Sequence, residues 1–359
     1  MRYLAMTSSL AYIDDYHIVI MTMLPISPND EESEPLLVSL ITVAREEVDL
    51  AQLGFLGVSG SVAHTHQGSL FIDLNERTTM AIMSETSADG GILESSDGVF
   101  FLLDAVRGVS SRAIEIWQTL ADLEIPRHII AGNLFASHTD FDELVAISRR
   151  IFSPEVLVRY LPMADDDETE VVALFDLLEN KIDDFSTGIR QITSPDIEHL
   201  ELTGDQRDTL IEALTYLALS DDALAMYRSG ITPANGELSQ AWSSSDLISI
   251  TPVDKQVGQA VLFDWINNLI PRWNPLVDSD DHDTHTSEPE FYGYGVAAGV
   301  ARIWGRKAAN IEVSSADHES ESLVNPEVLA ACLITEQIQA GDVLAEPGVS
   351  MALMAPAFD

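Results

Sequence analysis

The stretch Asp97-Gly-Val-Phe-Phe-Leu-Leu-Asp104 runs from one acid to another through an unbroken apolar segment. Apolar residues fall on both parities, so a strand built from it buries both faces, as the central strands of parallel sheets do. Downstream, Arg112 to Leu123 has helical spacing, Pro126-Arg-His-Ile-Ile-Ala-Gly132 reads as a strand, and Phe141 to Phe152 as a helix. Upstream, Ser69-Leu-Phe-Ile-Asp73 and Val58 to His66 read as strands and Leu36 to Leu50 as a helix. Before the acidic, proline-flanked loop Pro25 to Pro35, His17-Ile-Val-Ile-Met-Thr-Met-Leu24 reads as a buried strand. Strands alternating with helices specify an α/β fold: a mostly parallel sheet with helices on both faces.

The pattern changes after Leu161. Val171 to Leu178, Asp205 to Leu219 and Glu237 to Trp242 have helical character, so a helical insert is expected over about 161–245. Leu247-Ile-Ser-Ile250 then reads as a strand and Val257 to Ile270 as a helix ending before Pro271. The polar, acidic stretch that follows lacks apolar periodicity and reads as a linker. From Phe291 onward, short β-like segments with glycine turns suggest a small β-barrel.

Composition narrows the functional classes. The chain has 359 residues, 59 acidic and 18 basic, for a net charge of −41, and 46% are hydrophobic. That is enough apolar material for a sizeable core, so the acidity is not that of a disordered tail. Generic nucleic-acid binding is excluded, because little in the chain could neutralise many phosphates, and an anionic membrane surface would repel it. Only three lysines occur (Lys181, Lys255, Lys307) against fifteen arginines. Strong self-repulsion in a foldable chain points to a high-salt, halophilic cytoplasm, since at about 1 M salt the Debye length falls to roughly 3 Å. The single cysteine, Cys332, excludes an internal disulfide. Near the N-terminus, Asp14 and Asp15 interrupt any signal-peptide-like stretch, so a cytoplasmic location is expected.

The order of several segments resembles translation elongation factor G. Asp97-Gly-Val-Phe-Phe-Leu-Leu-Asp-Ala-Val-Arg-Gly-Val109 is similar to the family's D-G-A-V-V-V-x-D-A-V-E-G-V strand. Glu115-Ile-Trp117 is similar to its E-x-V-W helix, and Ile125-Pro-Arg127 to its V-P-R turn. Asn133 falls where the family has the asparagine of N-K-x-D, and Thr139-Asp-Phe141 echoes the G-A-D-F that follows. Further on, Leu161-Pro162, Val171 to Leu177, Gly258 to Asp264 and Leu269-Ile-Pro271 resemble the family's insert and last GTPase-domain helix. Arg302-Ile-Trp-Gly305 and Gln339-Ala-Gly-Asp-Val-Leu344 resemble its barrel motifs. The resemblance implies a P-loop-GTPase-like domain over 1–272, an acidic linker at 273–289 and a translation-factor-type domain II β-barrel over 290–359.

The resemblance also implies GTP or GDP with Mg²⁺, yet the motifs that would hold them are eroded. A phosphate loop, G-x-x-x-x-G-K-[ST], needs glycines so that backbone N–H groups can wrap the phosphates, and a lysine to counter their charge. The place assigned to it, Leu24-Pro-Ile-Ser-Pro-Asn-Asp-Glu-Glu-Ser33, has neither; Ser33 alone could mimic the Mg²⁺-holding hydroxyl. Asp73-Leu-Asn-Glu-Arg77 stands for D-x-P-G-H and keeps only Asp73. Asn133-Leu-Phe-Ala136 stands for N-K-x-D and lacks the guanine-reading aspartate; Pro252-Val253 stands for the last guanine loop. Asp73, Asn133 and Ser33 are therefore the expected remnants of a nucleotide site, each with a structural alternative as a turn or cap residue. Phosphoryl transfer depends on positioning and charge neutralisation. The expectation is thus a pseudo-GTPase, with no catalytic residue, acting on ribosomes or translation factors. An active GTPase with atypical motifs, using Asp73, Asn133 and Arg77, is the first alternative, and an interaction module unrelated to translation the second. His64 and His66 alternate along one strand and Asp280-Asp-His-Asp-Thr-His285 is rich in ligand types, but surface histidines and solvated linker are the simpler readings.

Overall fold

The computed structural model describes residues 10–13, 16–21, 36–45, 47–48, 64–66, 69–74, 78–88, 90–134, 140–165, 170–244, 247–254 and 257–269, and six strands between 291 and 345. In chain order the first elements are β1 (Leu10–Ile13), β2 (Tyr16–Met21), β3 (Leu36–Thr42), β4 (His64–His66), β5 (Ser69–Asp73), β6 (Thr78–Ser84) and α1 (Gly90–Ser95). They are followed by β7 (Gly98–Asp104), α2 (Ser111–Asp122), β8 (Arg127–Gly132), α3 (Phe141–Ile151) and β9 (Leu157–Val158). Next come β10 (Tyr160–Ala164), β11 (Val171–Asp176), β12 (Lys181–Asp184), β13 (Gln191–Thr193), α4 (Ile197–Ala218), α5 (Asp221–Arg228) and α6 (Asn235–Ser244). The rest are β14 (Ser249–Pro252), α7 (Gln259–Asn267), β15 (Phe291–Ala297), β16 (Val300–Gly305), β17 (Ala308–Ser315), β18 (His318–Val328), β19 (Cys332–Ile334) and β20 (Val343–Ala345).

The central sheet has the order β4-β5-β6-β3-β7-β8-β14-β9. Strands β6, β3, β7, β8, β14 and β9 run parallel, and the β4-β5-β6 edge is antiparallel. The mostly parallel α/β architecture read from the sequence is therefore present. Alternation along the strands divides two cores. Leu37, Ile41, Val99, Phe101 and Leu103 pack with Ile116, Trp117 and Leu120 of α2 and Leu144 of α3. Leu36, Val38, Leu40, Phe100 and Leu102 face the other way, onto Leu262 and Ile266 of α7. Helices thus cover both faces. Ser110 caps α2 and Asp140 caps α3, each side chain accepting from a backbone N–H of the first turn. At the start of α7, Gly258 has φ +87°, and a Cβ there would lie 2.7 Å from the Pro252 carbonyl oxygen. Both the left-handed backbone and the close approach require glycine.

Three segments differ from expectation. Leu36–Thr42 is a strand rather than a helix, and it sits between β6 and β7 in the middle of the sheet. All seven of its residues are buried, and apolar residues continue past its end at Val43, Ala44, Val48 and Leu50, which extends the run with helical spacing. Val171–Asp176 is likewise a strand, with five of its six residues buried. The insert therefore begins with an antiparallel sheet of order β10-β11-β12-β13, on which α4 and α6 pack through Phe175, Leu210, Leu214 and Leu238. The strand expected at His17–Leu24 is present as β2, but it pairs with β19 rather than with the parallel sheet.

That pairing belongs to a second eight-stranded sheet, of order β1-β2-β19-β16-β15-β20-β17-β18. Every pairing in it is antiparallel, with β1 and β18 at the two ends of the hydrogen-bonded order. Among the described residues no helix is long and apolar enough to cross a membrane.

Candidate functional site

In an open α/β sheet, ligands bind outside the carboxyl ends of the parallel strands, where the chain switches direction across the sheet. Here the switch lies at β3: its neighbour on one side is β6, and on the other is β7, reached only after β6. Loops from β3, β6, β7 and β8 meet there. They bring together Val43, Ala44 and Arg45, then Glu85, then Asp104 to Ser110, and finally Asn133.

Two carboxylates organise these loops. Asp104, at the end of β7, accepts from Arg45 Nη2 at 2.6 Å, from Asn133 Nδ2 at 3.0 Å and from the Val106 N–H at 2.9 Å. The Arg45 and Asp104 side chains are 8% and 7% exposed, so this ion pair is shielded from water. Glu85 follows β6 and is also buried. Its Oε2 accepts from the Ala44 N–H at 3.0 Å and from Ser110 Oγ at 2.6 Å. The neighbouring Val43 N–H donates to the Leu102 carbonyl at 3.1 Å. Arg107 Nη1 reaches the Ala44 carbonyl at 3.4 Å, and its Nε lies 3.9 Å from Asp104.

Ala44 and Asn133 both have left-handed backbone, with φ of 55° and 57°. Non-glycine residues adopt that region at a cost of roughly 1–2 kcal/mol, and it persists where surrounding bonds over-determine it. Ala44 is held on both sides, at its N–H and at its carbonyl, which supplies that constraint.

Of the three residues expected to remain from a nucleotide site, Asp73 and Asn133 are described, and they lie at different ends of the parallel strands. Asn133 lies at the strand ends, but its amide is directed to Asp104. Asp73 ends β5, which runs antiparallel to β6, and it pairs with Thr79 near the start of that strand. Five residues separate Thr79 from Ser84, about 16 Å along a strand. Asp73 therefore sits toward the opposite end of the strands, exposed, accepting from Thr79 Oγ1 at 2.9 Å. Its equation with the aspartate of D-x-P-G-H is corrected by that register. Ser33, the whole Leu24 to Ser33 stretch, Arg77 and Ala136 lie outside the described residues, as does the Asp280 to His285 cluster. The placement of β3 moves the loop that follows the first parallel strand to Val43-Ala-Arg-Glu-Glu-Val48, which also lacks glycine and lysine. Pro252 ends the parallel strand β14 and Val253 follows it, its N–H donating to the Ala131 carbonyl at 2.8 Å.

These residues do not fit a magnesium-bound nucleotide. The backbone N–H groups of Val43 and Ala44 are already engaged by oxygens of the chain. The Arg45 guanidinium is engaged by Asp104, and Glu85 adds a second buried carboxylate beside the same loops. Sequence reasoning missed Arg45 and Glu85. The signal was present: each is a charged residue within three positions of the end of a largely apolar strand.

The buried His128, on β8, belongs to a different environment. Its Nδ1 bonds Ser249 Oγ at 2.7 Å and its Nε2 bonds Thr251 Oγ1 at 2.9 Å, both from β14. The rings of Phe100 and Trp265 pack on it. Burial lowers its pKa from 6.5 to about 3, so the imidazole is neutral and structural. Among the described residues no group of three or more His, Cys, Asp or Glu side chains is placed to hold a metal ion.

No family model matches the chain. It is 22% identical over 174 residues to an elongation factor G-like protein of Mycobacterium tuberculosis, found alike in strains CDC 1551 and H37Rv. The match covers 47% of this chain and 23% of the relative, so the chain spans about a quarter of the length of the curated relatives it matches. A crystal structure of a Thermus thermophilus protein superposes with a TM-score of 0.57 at 15% identity, over 90% of this chain and 56% of the other. That superposition establishes the shared fold. Motif order along the chain, the mostly parallel sheet and the match to the mycobacterial proteins agree, and they make this chain similar to the elongation factor G-like proteins.

Proposed function

We propose that the chain is a non-catalytic relative of elongation factor G, a GTPase-like scaffold that acts by docking on the ribosome or on a translation factor. The observation that carries this reading is the closed set of bonds at the strand ends: Glu85 on the Ala44 N–H and Asp104 on Arg45 and Asn133. A site whose donors already bind the chain's own carboxylates offers a triphosphate repulsion in place of a cradle. The net charge of −41 supports a salt-adapted setting, so assays belong in molar KCl.

Titration calorimetry with GDP and with GTP, each with Mg²⁺, in molar KCl tests the reading. The expected result is no binding up to millimolar nucleotide. Micromolar binding would overturn it in favour of an active GTPase with atypical motifs. The docking half is tested separately by sedimenting ribosomes from a high-KCl lysate. The chain is expected in the ribosomal or factor-bound fractions, and its absence from both would favour a module unrelated to translation.

A further inference from the structure

We propose that Glu85 is a built-in anion: its carboxylate fills an anion-binding position formed by the Ala44 N–H and the Ser110 hydroxyl, and latches three loops together without any ligand. The inference rests on the non-catalytic reading above and gives it a physical device. Glu85 Oε2 receives both donors, at 3.0 Å from Ala44 and 2.6 Å from Ser110. The two donors come from loops that follow different strands, β3 and β7, while the acceptor follows β6. Ser110 is also the N-cap of the 12-residue helix α2, where its Oγ accepts from the Ala113 N–H at 3.0 Å. A negative charge held by that cap lies at the end of the helix that favours anions.

The backbone strain at Ala44 agrees with this role. A left-handed alanine turns its N–H toward Glu85, and Arg107 holds the carbonyl of the same residue. Together with the Ser110 hydroxyl, such a turn offers two convergent donors, an arrangement that would bind an anion from solution. Here the chain supplies it as a side chain, one residue beyond the end of a strand. A ligand that bridges loops can come and go, and the loops then change state with it. A covalently attached carboxylate keeps the loops after β3, β6 and β7 in one arrangement at all times. The scaffold would then present one surface to its partner instead of two alternating ones.

Amide hydrogen exchange tests the latch, with the Ala44 and Val43 N–H groups read side by side in molar KCl. Val43 donates to the Leu102 carbonyl and serves as the internal control for global loosening. In Glu85→Ala, Ala44 is expected to exchange at least tenfold faster relative to Val43. Replacing part of the KCl by potassium acetate is expected to restore much of that protection, as a free carboxylate enters the vacated position. Should Glu85→Ala fail to fold, Glu85→Gln keeps the side-chain size without the charge and is expected to give a several-fold change in the same ratio. An unchanged Ala44 to Val43 ratio in the variant that folds overturns the latch. Acceleration without acetate rescue overturns the anion position. Slower Ala44 exchange in the unaltered protein on adding GTP with Mg²⁺ overturns the underlying non-catalytic reading instead, so the failures are distinct.

Discussion

Arg45→Ala is expected to destabilise the protein by about 3–5 kcal/mol, because it leaves a buried carboxylate without its cation. Asp104 is 7% exposed, and of the groups around it Arg45 is the close cation, at 2.6 Å. Arg107 is the nearest substitute, but it lies 3.9 Å away and its side chain is half exposed, so it compensates weakly. The charge, rather than lost packing, is argued to be the cause, and a second substitution separates the two. Asp104→Asn removes the orphaned charge and keeps one oxygen, which can still accept from the Val106 N–H. Arg45→Ala with Asp104→Asn is therefore expected to be more stable than Arg45→Ala alone, with a coupling of about 1–3 kcal/mol between the sites. Urea unfolding at constant molar KCl measures both. A double variant as unstable as the sum of its singles would assign the loss to packing. The effect should also depend little on salt between about 1 and 3 M KCl, since a shielded pair is screened far less than surface charges are.

The same residues show where sequence reading reaches and where it stops. β7, α2, β8, α3 and α7 were legible because short apolar runs bounded by acid, glycine or proline alternate with segments of helical spacing. β3 was not, because apolar residues continue past its end at Val43, Ala44, Val48 and Leu50 and extend the run with helical spacing, whereas Asp97-Gly98 and Asp104 bound the equally buried β7. That error displaced the phosphate-loop comparison upstream, to a stretch that leads into β3. Asn133 was legible because it directly follows a strand. Asp73 was misplaced because a motif reduced to its aspartate fixes neither strand direction nor register. Arg45 and Glu85 gain their meaning only when β3 and β6 are hydrogen-bonded neighbours, a pairing between segments about forty residues apart that no local pattern encodes.

His128 gives the second large effect, and its sign follows from proton uptake. The folded state holds the imidazole neutral down to about pH 3, whereas the unfolded chain protonates it near 6.5. Between those values the unfolded state binds one more proton, so stability falls as pH falls, by about 1.4 kcal/mol per pH unit. From pH 6.5 to 5 this single group is expected to cost about 2 kcal/mol. Acidification also relieves repulsion among the many carboxylates, which acts in the opposite direction and obscures the contribution of His128 in the native chain alone. His128→Gln isolates it. The amide still reaches hydroxyl partners and does not titrate, and the carboxylates respond alike in both proteins. At pH 7 the native chain is expected to be the more stable of the two, because the ring fills the space against Phe100 and Trp265 and bonds Ser249 and Thr251. Toward pH 5 the gap is expected to narrow by about 2 kcal/mol. Urea midpoints of the two proteins across that range give the result directly. A gap independent of pH would mean that the folded state takes up the proton as readily as the unfolded chain, and that burial does not hold the imidazole neutral.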